Sequence, residues 1–218
     1  MDNLIIGNEN NKLMSENMLK SMYQLRFNVF YNELNWDVKT QINEEKDEFD
    51  TLDGSYIVYA NGDNVIGCWR ALPTLGKYMF QDVFPILARG EDIPKSRKIL
   101  EISRFAVSKN NRIKSFKESR SSNVTRKLLD AALEIAEINN IDAFVTVVST
   151  KMERLLIKSG FNINRFGDGE STMIGEVDTV ACWIYMDEFS KKKYREINAI
   201  NHFKKKDRVT YKFDMILS

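Results

Sequence analysis

The chain has 218 residues, of which 43% are hydrophobic and 29% are charged, and its 32 basic and 31 acidic residues leave a formal net charge of +1. This length fits one α/β domain with its own core, and the composition is that of a globular protein, not a disordered one. A net charge near zero produces no global field that favours nucleic acid, so we expect no nucleic-acid partner.

The sequence also argues against several other classes of protein. The apolar run Leu4–Ile6 is short and has no basic flank, so it is not a secretory signal, and no stretch approaches the roughly 20 apolar residues of a transmembrane helix. We therefore expect no transmembrane segment and a cytoplasmic location. The two cysteines, Cys68 and Cys182, and the single His202 lack metal-site spacing. We expect buried thiols, no metal and no prosthetic group.

The amino-terminal region, residues 1–50, combines a helix with a polar loop. Apolar residues recur at three- and four-residue steps from Ser15 to Leu34, and Arg26 lies on the same stripe, which predicts one amphipathic helix. The next segment, NWDVKTQINEEKDEFDTLDGS, is polar and has no clear periodicity. A loop of that length inside a compact domain usually has a function.

The rest of the chain alternates strands and helices. SYIVYA and NVIGCWRALPT flank Asn61-Gly62-Asp63, which predicts an antiparallel hairpin because these turn residues tolerate positive φ. A third strand is predicted over Ile99–Val107, followed by a helix stripe from Val124 to Ala136. Then come the buried strand IDAFVTVVS, a short helix over Lys151–Ser159, the strand VACWIYMD and a basic extension over residues 190–218.

This order predicts an α/β fold over residues 1–218. We expect a single-domain αβα sandwich around a mixed, mostly antiparallel sheet, an arrangement similar to that of the acetyltransferase (GNAT) fold.

One acidic segment and three arginines are candidates for chemistry. Residues 43–53, NEEKDEFDTLD, contain six carboxylates. A solvated acidic loop is the simple interpretation, whereas a functional loop needs a cationic partner. Arg26, Arg70 and Arg104 each sit in an otherwise apolar stretch, where an unpaired guanidinium is costly.

The run RKILEISRFAV places Glu101 and Arg104 within an apolar strand. At least one of them should be partly buried and paired, and a core ion pair is the structural alternative to a catalytic role. Strict alternation sends positions 101 and 104 to opposite faces, so only a β-bulge or strand splay would bring them together.

Several of these short motifs, in this order, resemble those of the acyl-homoserine-lactone synthase family. LRFNVFYNELNW is similar to its amino-terminal motif through Arg26, Val29, Phe30 and Trp36, and KDEFD is similar to its Asp-x-Phe/Tyr-Asp motif through Asp47 and Asp50. GCWRALPT supplies Arg70, FQDVFP supplies Phe84, and LEISRFAV supplies Glu101 and Arg104. VVSTKMERLLIKSGF resembles the carboxy-terminal block, so the resemblance spans about residues 20 to 165.

The resemblance implies a reaction and a set of catalytic residues. Members of the family make quorum-sensing signals: they transfer an acyl chain from acyl carrier protein, or from coenzyme A, to the amine of S-adenosylmethionine, and then close a lactone with release of methylthioadenosine. The implied catalytic residues are Glu101, Arg104, Arg70, Asp47 and Asp50. Glu101 is the expected base, acting directly or through water.

The resemblance also implies two binding regions. S-adenosylmethionine, as a substrate, would be bound from the side of residues 1–50 by Arg26, Phe30, Trp36 and Asp47, together with Arg104. An apolar slot for the acyl chain would be lined by Met79, Phe84, Ser103, Val145, Thr146, Met152, Leu155 and Trp183, although these residues equally suit a plain core. At the position of Thr146, some members carry threonine and favour chains oxidised at the third carbon.

A basic stripe on the predicted short helix is a further candidate for binding. Lys151, Arg154 and Lys158 lie three and four residues apart, so they share one helix face. This face would suit the acidic acyl carrier protein, and the alternative is an ordinary solvated surface.

Two other functions remain open at this stage. A coenzyme-A-dependent N-acyltransferase of another small amine would need a Gly-rich pyrophosphate turn, yet no glycine lies between Val107 and Leu128. A non-catalytic binding protein would be expected to have lost the acidic and arginine groups, which are all present.

Overall fold

The structure is a computed structural model that describes residues 2–8, 13–51, 53–109, 120–202 and 211–212. Its first elements are β1 (Asp2–Gly7), α1 (Glu16–Arg26), a π-helix (Phe27–Glu33), β2 (Thr40–Gln41), β3 (Glu44–Glu45), β4 (Ser55–Asn61), β5 (Asn64–Pro73), α2 (Met79–Asp82) and a 3-10 helix (Pro85–Ala88). They are followed by β6 (Ile99–Val107), α3 (Arg120–Ile138), β7 (Ala143–Ser149), α4 (Thr150–Lys158), β8 (Asn162–Arg165), β9 (Thr172–Ile174), β10 (Val177–Tyr185), α5 (Glu188–His202) and β11 (Tyr211–Lys212).

The chain divides into two compact units. The first contains residues 1–71, 104–134 and 209–218, and the second contains residues 72–103 and 135–208. Strand β6 contributes its second half to the first unit and its first half to the second. The organisation of residues 1–218 as a single domain stays a prediction.

The first unit is built on the strands β11, β1, β4 and β5, in that order, followed by the second half of β6. β1 and β4 are antiparallel from Asp2↔Asn61 to Gly7↔Tyr56, and β11 is parallel to β1. Helix α1 begins at the N-cap Ser15, whose side chain accepts a hydrogen bond from the Met18 amide. Its apolar stripe packs on this sheet and buries Met22 completely.

The second unit contains the first half of β6, then β7, β10 and β8, with β9 paired to β10. β6 and β7 run parallel over Ile99↔Ala143 to Glu101↔Val145, and β10 is antiparallel to both β7 and β8. Helix α4 starts where the Ser149 side chain accepts from the Met152 amide, and Gly160, with φ +99°, follows its end. The sheet and its loops position the side chains discussed below.

The structure confirms the mixed α/β class, the mostly antiparallel pairing and the β4–β5 hairpin with its turn at Gly62. The helix predicted over Ser15–Leu34 is present but has two parts, and the loop predicted after it is partly ordered. The predicted helix ending at Leu34 stops being α-helical at Arg26 and continues as a π-helix, in which the Leu34 amide donates to the Val29 carbonyl. The predicted irregular loop contains the β2–β3 hairpin, whose polar residues carry no two-residue hydrophobic alternation.

Part of the basic extension is also described. Residues 190–202 continue helix α5, whereas residues 203–210 and 213–218 lie outside the described residues, as do residues 110–119 of the glycine-free segment. Across the described ranges, every helix is too short or too polar to cross a membrane.

Candidate active site

Arg26 lies inside the first unit and is 1% exposed. Its Nε donates to Glu45 at 2.5 Å, while Nη1 and Nη2 donate to the two oxygens of Asp50 at 2.8 Å each. A bidentate arginine–carboxylate pair of this kind is short and directional. Arg26 therefore ties helix α1 to the acidic segment at two points, one on β3 and one at Asp50.

Arg70 and Arg104 bind the same acidic segment from strands β5 and β6. Arg70 Nη1 donates to Asp47 at 2.6 Å and to Asp50 at 2.8 Å, and Arg70 is 0% exposed. Arg104 Nε donates to Glu45 at 3.1 Å, and its Nη2 lies 2.6 Å from an oxygen of Asp47. Each carboxylate thus bridges two arginines.

These six side chains form a closed ring of alternating charge. The order around it is Arg26, Glu45, Arg104, Asp47, Arg70, Asp50 and back to Arg26. Three positive and three negative formal charges cancel, which is what permits so many ionic groups in a buried place. The ring holds the acidic segment against a helix and two strands, so the solvated-loop interpretation is wrong.

The environment of the ring shifts the pKa values of its members. Burial alone would raise the pKa of Asp50, but Arg26 and then Arg70 hold that pKa well below its usual range. Burial opposes the charge of Arg26 as well, yet Asp50 and Glu45 raise the pKa of its guanidinium well above the usual value. Asp50 is therefore ionised throughout the neutral and mildly acidic range.

The acidic segment is also fixed by its own backbone. The Asp47 amide donates to the Asp50 carboxylate at 2.8 Å, and the Phe49 amide donates to the Asp47 carboxylate at 2.9 Å. The Tyr56 hydroxyl donates to Asp50 at 3.0 Å. Asp50 thus accepts hydrogen bonds from two arginines, a tyrosine hydroxyl and a backbone amide.

Phe30 in the π-helix and Trp36, which follows the end of that helix, form an aromatic pair next to the ring. Phe30 and Trp36 stack with centroids 5.1 Å apart and planes 7° apart, and the Arg104 guanidinium lies 5.6 Å from the centre of the Phe30 ring. The Trp36 amide donates to the Phe30 carbonyl at 2.9 Å, which fixes their relative position. The turn that ends the π-helix thus brings two of the predicted substrate-side aromatics together.

Arg104 departs from regular strand geometry within β6. Its φ is +56°, a left-handed conformation that is rare for a residue with a side chain. Strand alternation is interrupted there, and the guanidinium reaches Glu45 and Asp47. The left-handed backbone at residue 104 therefore directs the Arg104 side chain toward the acidic segment. That Glu101 and Arg104 act together stays a prediction.

Glu101 lies in the second unit and is 1% exposed. Its two oxygens accept hydrogen bonds from the Met79 amide at 3.0 Å and from the Phe80 amide at 2.6 Å. In the strand register, Glu101 pairs with Val145, which pairs with Trp183. Residues that are directly opposite in adjacent strands share a sheet face, so these three side chains form a row across β6, β7 and β10.

Comparisons with known proteins decide the family of the chain. The family model described as Autoinducer synthase matches residues 10–194. The chain belongs to the autoinducer synthase family. The acyl-homoserine-lactone synthase of Aliivibrio fischeri is 40% identical over 175 residues, which are 79% of this chain and 89% of that protein. Such synthases are acyltransferases, and this autoinducer synthase chain is therefore an enzyme of that class.

Solved structures agree with this membership. The crystal structure of the AHL synthase LasI has 30% sequence identity and a TM-score of 0.77, and the match covers 90% of this chain and 94% of that one. An acyl-CoA N-acyltransferase from Pseudomonas aeruginosa has 15% identity and a TM-score of 0.56, covering 84% of this chain and 99% of that one. The second likeness concerns the fold alone, and it confirms the predicted similarity to acetyltransferases.

The residues predicted for the acyl slot and for carrier-protein docking differ in their burial and in the sheet face on which they lie. Val145 and Thr146 are adjacent in β7 and so face opposite sides of the sheet. The Thr146 hydroxyl donates to the Ile102 carbonyl at 2.8 Å, just beyond the last β6–β7 register pair. Leu155 is 37% exposed, on the outer side of α4. Half-buried positions are held by Met79, Phe84, Ser103, Met152 and Trp183, and exposed ones by Lys151, Arg154 and Lys158.

Sequence reasoning missed Glu45, which is 0% exposed and bridges Arg26 and Arg104. It was one of six carboxylates in residues 43–53, and nothing local distinguished it from Glu44. The available signal was its two-residue spacing from Asp47, which in an extended segment places both carboxylates on one side. Among the described residues, no group of three His, Cys, Asp or Glu side chains is arranged to hold a metal.

Proposed function

We propose that this chain transfers an acyl group from a thioester of acyl carrier protein to the α-amine of S-adenosylmethionine and then closes the lactone ring. The observation that carries the proposal is the buried ring of three arginines and three carboxylates, because it fixes the positions that the family motifs supply. Membership of the autoinducer synthase family supports the reaction class.

The first unit offers groups suited to S-adenosylmethionine. S-adenosylmethionine has a sulfonium and an ammonium group, and both cations interact favourably with carboxylates and aromatic faces. Asp47 and the stacked Phe30 and Trp36 supply such groups, and Arg104 is the arginine of the ring with the most exposed side chain, at 11%. Arg26 and Arg70 are committed to Glu45, Asp47 and Asp50. We assign those two to holding the acidic segment, and Arg104 to contacting the substrate.

Glu101 is proposed as the group that receives the amine proton. The Met79 and Phe80 amides donate to its two oxygens, which fixes the orientation of the carboxylate beside the proposed acyl slot. An α-amine loses its proton with a pKa of roughly 7.7 to 8.0, so a weak base is sufficient. The free amine attacks the thioester carbon and the C–S bond breaks. The nitrogen gives up a second proton, which the leaving thiolate takes up to become a thiol.

Lactone closure follows within the acylated intermediate. The methionyl carboxylate oxygen attacks its own γ-carbon, the bond from that carbon to the sulfonium breaks, and neutral methylthioadenosine leaves. No proton needs to move in this step. Because nucleophile and leaving group belong to one molecule, holding them in line provides most of the acceleration. The fixed acidic segment and Arg104 would provide that positioning.

We propose that the row formed by Glu101, Val145 and Trp183 lines one wall of the acyl slot. The Phe80 amide binds Glu101, and the Phe80 ring meets Phe166 at 4.7 Å, so the apolar surface continues from the proposed reacting centre. Thr146 faces the other side of β7, where its hydroxyl bonds the Ile102 carbonyl. We propose that it acts there to stabilise the end of the β6–β7 pairing.

Helix α4 supports acyl carrier protein as the donor. Lys151, Arg154 and Lys158 are exposed at three- and four-residue steps, and Leu155, 37% exposed, lies among them. A basic face with an apolar centre fits an acidic carrier. Replacing all three basic residues by glutamine should raise KM for the carrier thioester at low salt, with little effect on a coenzyme A thioester. Equal effects on both donors would reject the docking face.

One experiment tests the function directly. Purified protein is incubated with S-adenosylmethionine and a panel of carrier-protein and coenzyme A thioesters, and methylthioadenosine and acyl-homoserine lactone are measured by mass spectrometry. The expected result is both products in equal amounts. Neither product with any donor would reject the proposal. Glu101→Gln should retain S-adenosylmethionine binding by calorimetry and lose turnover, whereas unchanged turnover removes Glu101 from the role of base.

A further inference from the structure

Two loops of the second unit interlock around Gly167. Gly167 has φ +56°, and a Cβ atom there would lie 2.7 Å from the Arg89 carbonyl oxygen, so only glycine permits this approach. From the other side, Arg89 Nη2 donates to the Glu170 and Ser171 carbonyls at 3.2 and 3.1 Å and to the Thr172 hydroxyl at 2.7 Å. The loop after the 3-10 helix and the loop after β8 are therefore held as one body.

Glu91 completes this interlock and extends it to a tryptophan. One Glu91 oxygen accepts from the Gly167 amide at 2.8 Å, and the other accepts from the Trp183 indole Nε1 at 2.8 Å. A carboxylate that accepts two N–H bonds with different oxygens fixes the direction of both donors. Glu91 thus selects one orientation of the Trp183 ring relative to the loop.

Trp183 packs in a group of aromatic rings that extends to the Phe80 backbone and Glu101. The Trp183 ring stacks on Phe166 at 4.7 Å with planes 18° apart, and Phe166 meets Phe80 edge-on at 4.7 Å. The Phe80 amide donates to Glu101 at 2.6 Å. One series of contacts therefore joins a surface carboxylate to the row proposed to hold the acyl chain.

We infer that Glu91 is a positioning residue that sets the preferred acyl-chain length by fixing the orientation of Trp183. The inference rests on the proposed function, because Trp183 is assigned to the wall of the acyl slot. Indole rings have several low-energy rotamers, and the bond to Glu91 selects one. Without it the ring reorients, the far end of the slot lengthens, and longer chains are accepted.

The expected change follows from the value of a buried methylene. Burying one CH₂ group changes a binding ratio by about fourfold. A slot lengthened by one or two methylenes should therefore raise the kcat/KM ratio of a longer over a shorter donor by about fourfold to fifteenfold. Glu91→Ala should show this shift. Glu91→Gln, which keeps one accepting oxygen and has an NH₂ donor in place of the other, should show a smaller one.

Asp92 provides the matched control, because it is the neighbouring exposed carboxylate in the same loop. Asp92→Ala removes the same charge and should leave the chain-length profile unchanged. The Trp183→Phe background supplies a second control, since phenylalanine has no N–H for Glu91 to accept. Adding Glu91→Ala to Trp183→Phe should then give no further shift in the profile.

An NMR readout separates this role from simple loop stabilisation. The chain has 3 tryptophans, and each gives one indole N–H resonance that can be followed by ¹H–¹⁵N spectra, with Trp183→Phe assigning that of Trp183. Glu91→Ala should move the Trp183 resonance and leave those of Trp36 and Trp69 in place. An unmoved Trp183 resonance overturns the inference, and so does an equal fall of kcat/KM for all donors. If the wild type makes no lactone, the proposed function fails, while the resonance still reports on the contact.

Discussion

Replacing Asp50 by asparagine tests whether the buried ring stabilises the fold through its charges. The substitution keeps the size of the side chain and one of its oxygens, and it removes one negative charge. In the wild type, Asp50 accepts from Arg26 at 2.8 Å through both oxygens, from Arg70 at 2.8 Å and from Tyr56 at 3.0 Å. In the variant, the buried guanidinium groups of Arg26 and Arg70 have one negative charge fewer to compensate them.

The size of the effect follows from the cost of an unpaired buried charge. Removing one partner of a buried ion pair typically costs about 3–5 kcal/mol, because the remaining charge loses its compensation. For a protein of this length, 1 kcal/mol lowers Tm by about 2–4 °C. Asp50→Asn should therefore lower Tm by about 6–20 °C and abolish turnover at any temperature that the variant survives.

Glu48→Gln is the matched control from the same segment. The Glu48 side chain is 56% exposed and pairs with Lys39 at 2.9 Å on the surface. An exposed pair contributes only about 0.2–1 kcal/mol, so this variant should unfold within about 1 kcal/mol of the wild type. Unfolding is followed by circular dichroism in urea and on heating. If Asp50→Asn were as stable as Glu48→Gln, the argument that removing one charge of the ring leaves a buried arginine uncompensated would be refuted.

Three further predictions follow from the same geometry. Glu45→Gln should raise KM for S-adenosylmethionine by about tenfold to a hundredfold, because Arg104 loses a charged partner. Glu44→Gln is the control, since Glu44 is half-buried on the same hairpin. Equal KM values in the two variants would reject a role of Glu45 in holding Arg104 for the substrate. Because the pKa of Asp50 is depressed in the folded protein, its stabilisation is present above the unfolded value of roughly 3.9 and is lost as the pH falls below it. Urea titrations from pH 6 to pH 2 should show a larger loss of stability below about pH 3.9 in the wild type than in Asp50→Asn, because residue 50 of the variant does not titrate. Gly160→Ala should lower the free energy of unfolding by about 1 kcal/mol or more without changing kcat, since φ is +99° there; an unchanged Tm would contradict it.

Much of the fold was readable because its signals are local. The β4–β5 turn follows from Asn61-Gly62-Asp63, and the end of α4 follows from Gly160, since each needs a positive φ that these residues adopt easily. Strand β6 was recognisable from its apolar and β-branched residues. The π-helix was not, because its residues have the same apolar spacing as a regular helix and differ only in hydrogen bonding.

The sequence by itself pointed to five of the six residues of the ring, because Arg26, Asp47, Asp50, Arg70 and Arg104 stand in short motifs in a fixed order. It did not point to Glu45. Only the tertiary structure decided how they pair. The bond between Arg104 and Glu45 spans 59 positions and depends on a left-handed backbone at residue 104, which strand alternation does not encode. Charge type can be read from a sequence. Which buried charge compensates which is decided by the approach of distant segments.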